Sequence, residues 1–399
     1  MAKKKLIIYD DEKTHAKRYT DMLENIKEVN NSYNIISYDN DEFKSVYKIL
    51  KKRRSDSRDN NEQEWNDEEI DNAAIMIIDY DLVEAHSEIP DNGEEIAYYV
   101  RMFSKCDYVI LLNRFGHKTF DLNLTGHIDS YADINIGMED LNNQGLWTGR
   151  SDGYKPWYWP SLISVQENYS KRFSDVRKHF RESLKDFFGL ADSFFYSLSQ
   201  SSLQHLGMDR ENIEKTTFED FFNNSDMILK GRDEECGFSD EMKAQIVASR
   251  LSKWFERTVI PGQDVLVDCP HLVSRFPSLV NDTGIKVWDK TAIVDDFDAL
   301  PIHKKVIDKY MFKKNYWLSR PCWIWDLLSE CKDILEIFEP WKKMDIPFVF
   351  TEDASSFHPK EKCREFVSAV DSPFRKRYVY HFDDEDVKYR PKVRLYADE

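Results

Sequence analysis

In the first 140 residues, short apolar runs alternate with segments of helical period, and this order permits few folds. Lys5–Tyr9 (KLIIY) reads as a strand, and Thr14–Glu28 places Tyr19, Met22, Leu23 and Ile26 on one helical face. Tyr33–Tyr38 is a second strand and Glu42–Leu50 a second helix. Ala73–Ile78 (AAIMII) and Tyr108–Leu112 (YVILL) lack any polar alternation, as strands covered on both faces do. Gly93–Phe103 between them is helical, and Ala132–Ile136 is a weaker fifth strand. Strands alternating with helices predict a five-stranded parallel sheet with helices on both faces over residues 1–145. Residues 55–72 (SDSRDNNEQEWNDEEIDN) interrupt the pattern and are expected to form a flexible acidic insertion.

Beyond residue 145 the texture changes. Residues 146–160 mix Gly, Pro and aromatic residues and read as a packed linker. Residues 161–260 carry helical patterns at Leu162–Phe188, Ala191–Leu206, Phe218–Leu229 and Asp240–Arg257. Residues 261–399 read as a mixed α+β region, with strands near Asp264–Val267, Ile285–Val294, Pro347–Thr351, Arg377–Phe382 and Lys388–Tyr396. Helices are expected there at His303–Phe312 and Cys322–Phe338.

Functional groups of an open parallel sheet gather beyond the carboxyl ends of its strands. Asp10 and Asp11 directly follow the first strand, and Asp79 directly follows the third. If those strands are neighbours, three carboxylates converge and repel one another unless a cation relieves them. A hard, oxygen-seeking Mg²⁺ is the natural occupant.

These residues carry a resemblance. YDDEK, IIDYDL and DNGEEIAYYV, in this order and strand context, make the N-terminal third similar to the receiver domain of two-component response regulators. The resemblance covers about 35% of the chain. It implies a flavodoxin-like fold for this part, with Asp10, Asp11 and Asp79 binding the metal and Asp79 as the phosphoacceptor. Receivers usually end the fourth strand with Thr or Ser, where this chain has Asn113, and follow the fifth strand with a lysine, which YADINIGMED lacks. Lys155 and Lys118 are the candidate replacements for that cation. The departures leave open a pseudo-receiver that acts only through protein contacts.

No basic recognition helix with a short turn follows the receiver-like part. The output therefore reads as a signalling or protein-interaction function, with a histidine kinase or a component of a defence system as partner. The alternative is an effector enzyme, such as a metal-dependent nuclease or toxin of a bacterial antiphage system. Asp264, Asp268 and His271 suggest either a metal site or a helix cap, and the cap is the simpler reading. Asp295, Asp296 and Asp298, with Lys286 and Lys290 near, read as a solvated acidic loop rather than a nuclease site, and Arg172 with His179 as part of a highly charged helix rather than the Arg and His pair of a helical ribonuclease. The tail from Ser372 to Tyr396 reads as a charged hairpin, and the Trp-rich pieces 156–160 and 317–325 as packing. A net charge of −17 argues against a general nucleic-acid ligand. No apolar run approaches the ~18 residues of a membrane span. The six cysteines lack CxxC spacing, so a reduced, cytoplasmic protein is expected.

Overall fold

A computed structural model describes residues 3–58, 65–83, 88–113, 126–148, 161–207, 213–229, 237–260, 265–275, 284–292, 309–324, 347–352, 356–366 and 376–380, with residues 277, 280 and 354. Five strands form the expected all-parallel sheet: β1 (Lys4–Tyr9), β2 (Tyr33–Tyr38), β3 (Ala73–Asp79), β4 (Tyr108–Asn113) and β5 (Ile134–Gly137), in the order β2-β1-β3-β4-β5. Tyr9 pairs with Ile78 and Asp79 with Leu112, so β1 and β3 lie side by side and end at the same edge.

The inner strands β1, β3 and β4 bury both faces, whereas the edge strand β2 is only partly covered. Leu6, Ile8, Ile75, Ile77, Ile110 and Leu112 pack against α1 (Lys13–Glu24), the short α2 (Lys27–Ser32), and the α5 (Met138–Leu141) and α6 (Gln144–Thr148) that follow β5. Ile7, Met76, Ile78, Val109 and Leu111 face α3 (Asn40–Arg58) and α4 (Gly93–Phe103). Full burial of such side chains contributes about 1.5–3 kcal/mol each, which is why the apolar runs in the sequence locate these strands. The first helix is shorter than its periodicity suggests. It stops at Asn25, and extended backbone at Ile26 separates it from α2.

The described ends of the acidic segment 55–72 are not an extruded insertion, contrary to expectation. Residues 55–58 complete α3, and Trp65 and Ile70 are buried. Arg53 makes a two-pronged pair with Asp71 (2.9 and 2.7 Å) and lies over the Trp65 ring. A buried ion pair and one tryptophan anchor this stretch where bulk composition predicted none.

The C-terminal part continues the α3/α4 core without a break. Its long predicted helices are divided by side-chain caps. α7 (Leu162–His179) is separated from α8 (Leu184–Phe188) by Ser183, whose hydroxyl caps α8. Ser199 separates α9 (Asp192–Ser197) from α10 (Gln200–Leu206), and Ser225 separates α11 (Phe218–Asn224) from α12 (Asp226–Leu229). α13 (Asp240–Trp254) runs into one π-helical turn, Phe255–Val259. β6 (Leu266–Asp268) leads into α14 (Cys269–Arg275) and pairs antiparallel with β7 (Cys322–Ile324), so Cys322 begins a strand rather than the expected helix. Ile285–Lys290 is a helix, α15, rather than a strand. Trp288 packs edge-on to Phe357, and Asp289 accepts the Phe357 N–H, so docking overrides the β-branched preference. β8 (Phe348–Thr351), β9 (Ser356–Pro359), β10 (Arg364–Phe366) and β11 (Arg377–Val379) form a mixed sheet in the order β10-β11-β8-β9. The expected strand Lys388–Tyr396 and the Trp-rich piece 156–160 lie outside the described residues, whereas Trp317 and Trp323 are buried in the core as expected. Among the described residues, no helix is long and apolar enough to cross a membrane.

Candidate metal centre at the carboxyl edge of the sheet

Because β1 and β3 are neighbours, Asp10, Asp11 and Asp79 meet at one edge. One carboxylate oxygen from each lies within 4.8 Å of the others. These three residues would hold a divalent cation, which would offset the mutual repulsion of their carboxylates. The donor set, three carboxylate oxygens with no sulfur or nitrogen, suits a hard divalent cation. It is the group with such geometry among the described residues.

The acids are held in place locally. Asp10 is fully buried, and its Oδ1 accepts the Glu12 N–H at 2.8 Å, an Asx turn that lifts the chain from β1 into α1. His15 Nδ1 lies 3.8 Å from the same oxygen and 3.2 Å from Glu12 Oε2. Asp11 is half-buried, and its carbonyl accepts the Asn40 side-chain amide at 3.2 Å. Asp79 is buried to 2% exposure, with both carboxylate oxygens enclosed by protein.

Sequence reasoning missed the second layer. Tyr9, the residue before the acidic pair, stacks on Phe43 at 3.8 Å and donates its hydroxyl to Asn40 Oδ1 at 2.9 Å. Burial, then the charges of Asp11, Asp10 and Asp79, push its phenol well above the ordinary tyrosine range. Asn40 thus joins the Tyr9 ring to the Asp11 backbone. The only sequence signal was an Asp-Asn pair opening α3, which by itself indicates no more than a helix start.

Behind Asp79 the chain turns back tightly. Tyr80 N–H donates to the Leu112 carbonyl and Gly93 N–H to the Tyr80 carbonyl, each at 2.9 Å, while Asn92 Oδ1 caps α4 through the Glu94 N–H at 2.8 Å. A Cβ on Gly93 would stand 2.3 Å from the Asp79 carbonyl oxygen, which is why glycine opens this helix. We expect Gly93→Ala to cost about 1–3 kcal/mol and to weaken cation binding, because α4 must retreat from β3. Thermal unfolding with and without Mg²⁺ checks this, and a variant as stable as the parent contradicts it.

Asn113 ends β4 opposite Gly137, and nothing further is described of its side chain. Lys118 and Lys155 lie outside the described residues, as do Asp264, Asp295, Asp296 and Asp298. Asp268 and His271 behave as the cap reading expected: Asp268 Oδ1 accepts the His271 N–H at 3.2 Å and contacts its Nδ1 at 2.5 Å. His271 Nε2 lies 3.5 Å from Glu352, which is paired with Arg377. Burial opposes the Glu352 charge, yet the Arg377 guanidinium holds its carboxyl below the usual range. This is a buried ion-pair network linking α14 to the C-terminal sheet. Arg172 is not on a charged surface: it is buried, donating to the Tyr316 carbonyl at 3.2 Å, whereas His179 pairs with Glu182 at 2.6 Å. No family model, no curated protein and no solved structure matches the chain.

Proposed function

We propose that the chain is a regulatory protein whose N-terminal flavodoxin-like, receiver-like unit binds Mg²⁺ through Asp10, Asp11 and Asp79. Asp79 is then the acceptor of a phosphoryl group. The observation that carries this reading is the convergence of three carboxylates from the ends of two adjacent parallel strands, one of them enclosed. The strand order 2-1-3-4-5 supports it, since ligands of doubly wound sheets bind at the carboxyl edge where the order reverses, here beside β1 and β3. Bound Mg²⁺ would offset the mutual repulsion of the acids. An Asp79 oxygen would attack the phosphorus of a donor, whose leaving oxygen departs with its electron pair.

The C-terminal part then serves as a protein-binding output rather than a second catalytic centre. Among its described residues the interior is filled by Phe187, Phe188, Phe218, Phe255, Phe312 and Trp317, and the buried Asp268 and Glu352 are tied to His271 and Arg377. A packed aromatic interior favours binding through surfaces over chemistry in a cleft.

Incubation of the full chain with acetyl phosphate and Mg²⁺, followed by peptide mass spectrometry, tests the phosphoacceptor. The expected result is one phosphoryl group on Asp79, absent in Asp79→Asn. An unlabelled Asp79 in a chain that still binds Mg²⁺ overturns the phosphoacceptor role and leaves a cation-binding pseudo-receiver.

A further inference from the structure

The four inward polar side chains of α13 have no part in the pocket, and their placement connects it to the rest of the chain. Gln245, Ser249, Arg250 and Lys253 are all buried. Arg250 donates to the carbonyls of Ile128 (2.9 Å), Ser130 and Met227 (2.8 and 3.0 Å) and lies 4.5 Å over the Tyr131 ring. Lys253 Nζ donates to the carbonyls of Ser130 (2.9 Å) and Ala132 (2.8 Å). Ser249 donates to Asp133 at 2.5 Å, and Gln245 to the Cys106 carbonyl at 3.3 Å. One helix from the distal part of the chain therefore grips the backbone of residues 128–133, the segment that leads into β5.

That segment is tied in turn to the acidic pocket. Ser130 donates its hydroxyl to Glu94 at 2.9 Å, and Glu94 is 5% exposed. Glu94 adjoins Gly93, which donates its N–H to the Tyr80 carbonyl and leaves no space for a side chain against the Asp79 carbonyl oxygen. At its far end α13 passes directly into the π-turn, where Glu256 accepts both the backbone N–H and the hydroxyl of Ser319, the latter at 3.0 Å. A continuous series of short contacts thus runs from Asp79 through Gly93, Glu94, Ser130 and α13 to the segment preceding β7.

Burying two cations on carbonyl acceptors is costly, and apolar residues would attach the helix with less desolvation. π-turns are rare and often mark functional sites. We infer that Glu94, Ser130, Arg250 and Lys253 form a link through which occupancy of the acidic pocket sets the position of α13 and, through it, the C-terminal surface. The inference rests on the cation-binding reading of the pocket. A bound cation held by Asp10, Asp11 and Asp79 would draw the end of β3 with Asp79. Gly93, tied through its N–H to the Tyr80 carbonyl, would follow, and Glu94 would carry the shift to Ser130.

Hydrogen–deuterium exchange on the full chain, with and without Mg²⁺, tests the link, with Mg²⁺ binding measured separately by titration calorimetry. In the parent chain Mg²⁺ should slow exchange about fivefold or more both at the pocket and in residues 240–259. In Ser130→Ala, Mg²⁺ should still bind and protect the pocket, while residues 240–259 no longer respond. Ser130→Thr, which keeps the hydroxyl, should restore the response. Binding with unchanged exchange in 240–259 of the parent overturns the link alone, as does an equal response in Ser130→Ala. Absence of Mg²⁺ binding overturns the pocket reading and the link with it.

Discussion

Arg101→Met will lower the stability of the chain by about 3–5 kcal/mol, the usual effect of removing one partner of a buried ion pair. Arg101 is fully buried on α4 and pairs with Asp133 just before β5. Its guanidinium also faces the carbonyls of Cys106 (3.3 Å) and Asp107 (3.4 Å) and lies 5.7 Å from the Tyr169 ring. Asp133 is shared: it accepts the Val109 N–H at 2.8 Å and the Ser249 hydroxyl at 2.5 Å. Loss of the arginine therefore leaves a buried carboxylate at the joint of sheet, α7 and α13. Denaturant unfolding should show a lower midpoint with an unchanged slope. Adding Asp133→Asn should recover part of the loss, because the uncompensated charge is gone. A single-variant loss under about 1 kcal/mol would mean that the pair contributes no more than an exposed one.

Glu256→Gln will stabilise the chain at pH 8 and leave it nearly unchanged at pH 5. Burial raises the Glu256 carboxyl from the ordinary 4.5 to about 7, with Asp268 adding to the rise and Ser319 and Arg172 opposing it. The folded chain therefore holds this proton more tightly than the unfolded one. The associated stability is fully present below pH 4.5 and is lost as pH climbs through 7. At about 1.4 kcal/mol per pH unit between those two values, the loss is on the order of 3 kcal/mol by pH 8. Glutamine keeps an acceptor for the Ser319 N–H without the ionisation. Unfolding free energies across pH 5–8 check the claim, and parallel profiles for the two proteins would contradict it.

The parallel sheet was legible because KLIIY, AAIMII and YVILL are apolar on both faces, a pattern few other elements share. The acidic pocket was legible because its three aspartates sit immediately after two of those runs, and strand ends are fixed once strands are placed. What could not be read depends on groups distant in sequence. Arg250 and Lys253 resemble ordinary helix charges until residues 128–132 present their carbonyls to them. Trp288 gives no helix signal until Phe357 arrives from β9, and Trp65 looked incidental in an acidic stretch until Arg53 covered it. Periodicity reports which face is buried, but not when a buried face is polar. This explains why the α13 grip was missed while α13 itself was found within a few residues.

Asp10, Asp11 and Asp79 are proposed to hold one divalent cation. Titration calorimetry of Mg²⁺ into the full chain tests it most directly, with Asp79→Asn and Asp10→Asn as parallel samples. The expected result is one saturable site in the parent chain and at least about tenfold weaker binding in each variant, in line with what loss of a ligand-shell contact costs. A parent chain that binds no Mg²⁺, or variants that bind it as tightly as the parent, would contradict it.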